Sequence, residues 1–119
     1  MNETTIINIE IHTHDFLLLC DLLGKSSYSS GDEVRLSDQA SLRYISTEKR
    51  MAEGVSDIIR LLLIFGSSVL ASTVADWLWD RLQNREIEKL VIDGEKLGLN
   101  RDDIERIIGE RIEQGTRKN

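Results

Sequence analysis

The chain opens on strict alternation. From Thr4 to His12, Ile7, Ile9 and Ile11 fall on one side and Asn8, Glu10 and His12 on the other. A period of two built on β-branched residues marks a strand with one buried face. Asp15 then stands where it can cap a short helix over 16–23, and Gly24 is its stop. The run KSSYSSGD over 25–32 is a polar loop, and 34–36 and 41–45 are two short strand candidates with a turn over 37–40. Thr47 opens a helical region. An unbroken helix over 48–83 would be about 54 Å long. A compact domain of this size has a radius of gyration of about 13–14 Å. A break is therefore expected at Gly54, leaving a main helix over 56–83.

Beyond that helix, 86–92 reads as a strand, and Asp93-Gly94 is the dipeptide a type I′ hairpin turn favours. Residues 95–99 return as its partner. Asn100 is placed to cap the last helix, with Asp102 and Asp103 in the first turn, where the helix dipole favours acids. Ile104, Ile107, Ile108 and Ile112 then form one apolar stripe. The order β-α-β-β-α-β-β-α predicts an α+β fold. Its parts are a small, mostly antiparallel sheet, a long central apolar helix and two shorter helices. One domain over 1–114 and a polar tail over 115–119 account for the chain.

The central segment holds fifteen residues without a charge, LLLIFGSSVLASTVA over 61–75. Read as a helix, it puts Ile59, Leu63, Leu70, Val74 and Trp77 within about 60° of one another. Ser68, Ala71, Ser72 and Ala75 make a small-residue face opposite, open to close approach by another backbone. Such a helix needs cover on both sides. That nominates Ser68, Ala71, Ser72 and Ala75 as interaction residues, with Trp79 as an aromatic anchor of the kind enriched in binding hot spots. Burial inside the monomer is the competing account. A second alternative is a single-pass or peripheral membrane protein using a helix over 61–79. The apolar run is shorter than the ~20 residues a spanning helix needs.

Composition narrows the function. The chain has 15 basic and 21 acidic residues, a net charge of −6. Residues 1–79 carry 6 basic and 11 acidic side chains, and residues 80–119 carry 9 and 10. Neither part offers the concentrated positive field that phosphate backbones attract, so no nucleic-acid partner is expected. The lone cysteine, Cys20, lies among leucines and reads as a small buried hydrophobe. The first residues lack a basic and apolar leader pattern, which sets a cytoplasmic expectation.

The sharpest chemical feature is His12-x-His14 at the end of the first strand. Alternation would put both imidazoles on one strand face, where they could share a metal, as in a small metal-binding protein or hydrolase. These are the only histidines, and Asp15 is better used as a helix cap. The glycines form no phosphate-binding loop, and no base is placed to activate a serine. The expectation is no enzyme, no metal and no cofactor.

One resemblance gives the pattern a setting. The run SDIIRLLLIFGSSVLASTVADWLWDRLQ, the strand EIEKLVI, the turn DG, the strand EKLGL and the Ile-rich closing helix resemble the effector-associated constant component of bacterial conflict systems. Trp77-Leu78 or Trp79 with Arg81 would hold that family's Trp-Leu-basic place, and Asp93-Gly94 its hairpin. The likeness covers about 47–112, and this sequence differs in Asp76, Asp80 and its longer Ser-rich loop. The resemblance implies a non-enzymatic adaptor, bacterial or phage-borne, linking an effector to a defence or counter-defence assembly. Its partners would be another protein and further copies of itself.

Overall fold

The structure is a computed structural model that describes residues 4–15, 17–37, 39–50, 54–66 and 70–117, with backbone alone at 37 and 115–117. Its elements are β1 (Thr4–Thr13), α1 (Leu18–Leu23), β2 (Glu33–Ser37), β3 (Ala40–Glu48), β4 (Asp57–Gly66), α2 (Ala71–Leu82), β5 (Ile87–Ile92), β6 (Glu95–Leu97) and α3 (Arg101–Arg117). The six strands form one sheet in the order β2-β3-β4-β1-β5-β6. Every pairing is antiparallel. The fold is α+β with three helices, and it has one more strand than the sequence pattern suggests.

That extra strand corrects the largest expectation. The single helix placed over 56–83 holds instead the strand β4 over 57–66 and the twelve-residue helix α2 over 71–82. Gly54 is indeed a turning point, with φ +78, but the chain leaves it as a strand. The helix expected to begin near Thr47 is instead the end of β3. The reason is position. β4 lies between β3 and β1 and is paired along nearly its whole length on both edges. Its inward side chains Ile59, Leu61, Leu63 and Phe65 are buried, and its outward Leu62 and Ile64 are partly covered. A strand that carries apolar side chains on both faces shows a nearly continuous apolar run rather than alternation, and periodicity does not distinguish that run from a buried helix. The longest axis of the molecule is 47 Å, shorter than the unbroken helix would have been.

The core lies on one face of the sheet. Ile7, Ile9 and Ile11 of β1, Leu61, Leu63 and Phe65 of β4, Leu42 of β3 and Leu90 and Ile92 of β5 point into it. Leu18, Leu19, Leu22 and Leu23 of α1, Val74, Ala75, Leu78 and Leu82 of α2, and Ile104, Ile107 and Ile108 of α3 cover them. Full burial of one such aliphatic side chain stabilises the fold by roughly 1.5–3 kcal/mol. All three helices thus sit on the same side.

Local signals place the helix ends. Asp15 Oδ1 accepts the Leu17 N–H at 3.0 Å ahead of α1, and Gly24 closes that helix in the left-handed region at φ +67. Asn100 Oδ1 accepts the Asp103 N–H at 2.8 Å, the side-chain cap expected of it. In return Asp103 Oδ2 accepts the Gly98 N–H at 2.9 Å. Asp93 and Gly94 both adopt positive φ, +50 and +83, as a type I′ turn demands. The backbone of α3 runs on to Arg117, past the tail boundary placed at 114.

Candidate functional site

The face of the sheet away from the helices is the surface that calls for a functional account. Register fixes what stands on it. Ile6 lies opposite Ile64, Asn8 opposite Leu62, Glu10 opposite Arg60 and His12 opposite Ile58. Ser41 and Arg43 of β3 extend the first two rows, and Val91 and Lys89 of β5 extend the last two. Ile6, Ile64 and Leu62 make an aliphatic strip beside the β1–β4 seam, and Ile6 is 53% exposed. An antiparallel sheet with a free face normally turns polar side chains to water. Three adjoining aliphatics there are the exception that points to a covered surface.

Charge is arranged around the strip. Two of its acids are engaged, Glu33 by Arg43 at 2.9 Å and Glu48 by Arg60 at 3.2 Å, and Glu10 lies 3.5 Å from His12 Nε2 without a hydrogen bond to it. Arg35 on β2, Lys89 on β5 and Lys96 on β6 make no ion pair among the described residues. A chain of net charge −6 therefore presents unpaired cations at both margins of its open sheet face.

The histidine pair does not assemble. His12 is on the open face with its Nε2 buried and without a hydrogen bond. β1 ends at Thr13, so His14 leaves the sheet and meets Glu88 Oε1 at 2.8 Å. Ser56 Oγ donates to the other oxygen of Glu88 at 3.1 Å, which ties together the ends of β1, β4 and β5. Asp15 does not cap α1, whose N-cap is Leu17; besides its bond to the Leu17 N–H it takes Arg85 at 3.1 Å, and Arg85 also pairs with Asp21. Among the described residues, no three His, Cys, Asp or Glu side chains gather as metal ligands.

The proposed interaction residues are placed variously. Ser68 lies outside the described residues. Ala75 is fully buried, and Ala71 faces α3, where a Cβ added at Gly109 would stand 3.8 Å from its own. The small face thus seats α2 against α3 within the chain. Ser72 is partly buried and its carbonyl accepts from Arg101. Trp79 and Trp77 are both half-buried against the core, and the Arg81 guanidinium lies 5.5 Å from the Trp77 ring centre. Hydrogen bonds to Asp76 and then Glu105 hold the Arg101 guanidinium above its ordinary pKa and clamp α2 to α3. Cys20 is only partly buried, because the leucines around it, and not the thiol, occupy the inner side of α1.

No helix among the described residues is long and apolar enough to cross a membrane. Of the helix proposed for that task over 61–79, residues 61–66 are strand. The open sheet face was missed in the sequence, although Ile6, Leu62 and Ile64 were each visible as apolar residues. The signal that they share a surface is the pairing of β1 with β4, which only the fold supplies. No protein-family model, no curated protein and no solved structure matches the chain.

Proposed function

We propose that this chain is a protein-interaction adaptor and that the open sheet face is its docking surface. The observation that carries the reading is the strip of Ile6, Ile64 and Leu62, with unpaired Arg35 near it on β2 and unpaired Lys96 and Lys89 farther along the same face. Apolar burial at the centre would supply binding energy, and the flanking cations would select an acidic-rimmed partner and speed its encounter. The titratable groups that looked most like chemistry have structural duties instead. Glu88 holds His14 and Ser56, and Asp15 holds Arg85 and the start of α1. The resemblance to the effector-associated component supplies the setting, a bacterial defence or counter-defence assembly in which the partner is an effector. Of the segments that carried it, the Asp-Gly hairpin is β5–β6 and the closing helix is α3, while residues 57–66 of the run read as a helix form β4.

Capture of the tagged full chain at near-native expression, read by mass spectrometry, tests the proposal. One strongly enriched protein is expected with the wild type. Its recovery should fall at least tenfold with Ile6→Asp and stay unchanged with Asp80→Ser on the exposed side of α2. Equal recovery with Ile6→Asp would overturn the reading.

A further inference from the structure

The chemical complement of the open sheet face lies on the helical side of the same chain. A shallow groove of about 880 Å³ runs between the start of α2 and the outer side of α3. Ala71, Gly109 and Ile112 give it an apolar lining. Asp102, Glu105, Glu110 and Glu113 border it, outnumbering the two cations that pair among them, Arg101 with Glu105 and Asp102 and Arg106 with Glu110. The Asp102 side chain is 94% exposed. Sheet face and groove are thus opposite in charge and alike in having an apolar centre.

We propose that the sheet face of one copy docks on the α2–α3 groove of a second copy, head to tail. The inference rests on the reading of the sheet face as a docking surface and adds a second copy as its occupant, so that self-assembly and capture of the effector compete for one surface. Ile6, Ile64 and Leu62 would lie over Ala71, Gly109 and Ile112, with Lys89 and Lys96 toward the acidic border. Complementary potential fixes the orientation, because sheet on sheet and groove on groove would each set like charges together. The two surfaces differ, so the contact is heterologous. Each copy keeps one of each surface free, and assembly continues until it closes into a ring or extends as a filament. The layers would then alternate as sheet, helices, sheet, helices, and each open sheet would gain the cover it lacks in the single chain.

Sedimentation velocity of the full chain from about 1 to about 200 µM tests this; the range spans ordinary weak to moderate affinities. The mass is expected to climb beyond two copies. Ile6→Asp disables the sheet face, and Gly109→Leu fills the groove, where an added Cβ meets only ordinary contact. Each variant alone should be monomeric. Mixed in equal amounts, they should give a 1:1 heterodimer and nothing larger, because each supplies the surface the other lacks. Circular dichroism checks that both fold. If either does not, Lys96→Glu and Asp102→Lys take their places. Each should weaken assembly at least tenfold, and the two swaps in one chain should restore it. A wild type that is monomeric throughout, a mass that stops at two without rescue on mixing, or variants that assemble like the wild type would each overturn the proposal. Should assembly fail while Ile6→Asp still abolishes partner capture, the docking surface stands and only its occupant is wrong. Should Ile6→Asp alter neither, both readings fall.

Discussion

Asp93 shows how much one side chain can coordinate. It occupies the left-handed region at φ +50, a conformation that Asp tolerates better than most residues. Its Oδ1 accepts the Asn8 N–H at 2.9 Å, while its own N–H donates to the Asn8 carbonyl at 2.8 Å, so the β5–β6 turn is stitched to β1. Its Oδ2 takes Arg111 of α3 at 2.5 Å, and the carboxylate is nearly buried, 8% exposed. Asp93→Ala should therefore cost about 2–4 kcal/mol, combining left-handed strain with the loss of charged hydrogen bonds. Asp93→Asn keeps the backbone tolerance and the Asn8 bond and should cost clearly less. Urea unfolding of the two variants checks the order, and equal losses would mean that only the Arg111 pair matters. The Asp-Gly turn is legible in the sequence because it is local; the reach to Asn8 and Arg111 is not.

Asp32 gives a pH dependence with a definite sign. The Ser29 N–H at 2.9 Å, aided by the Lys25 ammonium at 3.5 Å, holds its carboxyl below the ordinary carboxylate value. A folded value below the unfolded one stabilises the loop at all pH above the unfolded value of ~3.9. That contribution is lost as pH falls through the folded value. The Ser29 amide resonance should report a titration in that acid range, and Asp32→Asn should abolish it. A titration at or above the ordinary carboxylate value would refute the assignment. The loop itself is held along β3, with Tyr44 N–H on the Asp32 carbonyl, Gly31 N–H on the Tyr44 carbonyl and Tyr28 edge-on to Tyr44 at 5.2 Å.

At the scale of elements, β4 is the instructive case. Its ten residues include Leu61, Leu62 and Leu63, good helix formers, and its sequence carries a hydrophobic run compatible with either state. The discriminating local hints are Gly54 and Gly66 at its two ends and the β-branched or aromatic Ile58, Ile59, Ile64 and Phe65 within it. Gly66 also brings the chain close to the β2–β3 turn, where its N–H donates to the Gln39 carbonyl at 2.8 Å. A strand predicts mutational sensitivity with period two. Leu63→Thr should cost about 3 kcal/mol or more, because it leaves a cavity and buries a hydroxyl. Leu62→Thr, on the open face, should cost less than about 1 kcal/mol. Chemical denaturation of both resolves the matter, and similar costs would contradict the alternation. β1, α1, the β2–β3 hairpin, the β5–β6 hairpin and α3 were readable because each carries its own cap, turn or unbroken period.

For the whole molecule, a one-sided arrangement results from how the connections run. α1 and its loop carry the chain from β1 to the far edge at β2, and α2 carries it from β4 over β1 to β5. Both crossings are made on the core side, as is the return of α3. β1 and β4 are consequently paired on both edges and covered by the helices, whereas β2 and β6 are edge strands. Amide hydrogen exchange should be slowest in β1 and β4 and fastest among the strands in β6 and β2. Fast exchange across β4 would contradict its central place. What the sequence by itself determined is the set of local decisions: class, most strands, two hairpin turns, the Gly24 stop of α1 and the Asn100 cap of α3. These depend on contacts within a few residues, where propensity, capping and turn chemistry act. What only the tertiary structure decided is the state of residues 57–66 and the existence of a shared face for Ile6, Leu62 and Ile64. The same apolar run satisfies a buried helix or a central strand equally well. The choice was made by the hydrogen-bonding edges of β1 and β3, which lie far away in sequence.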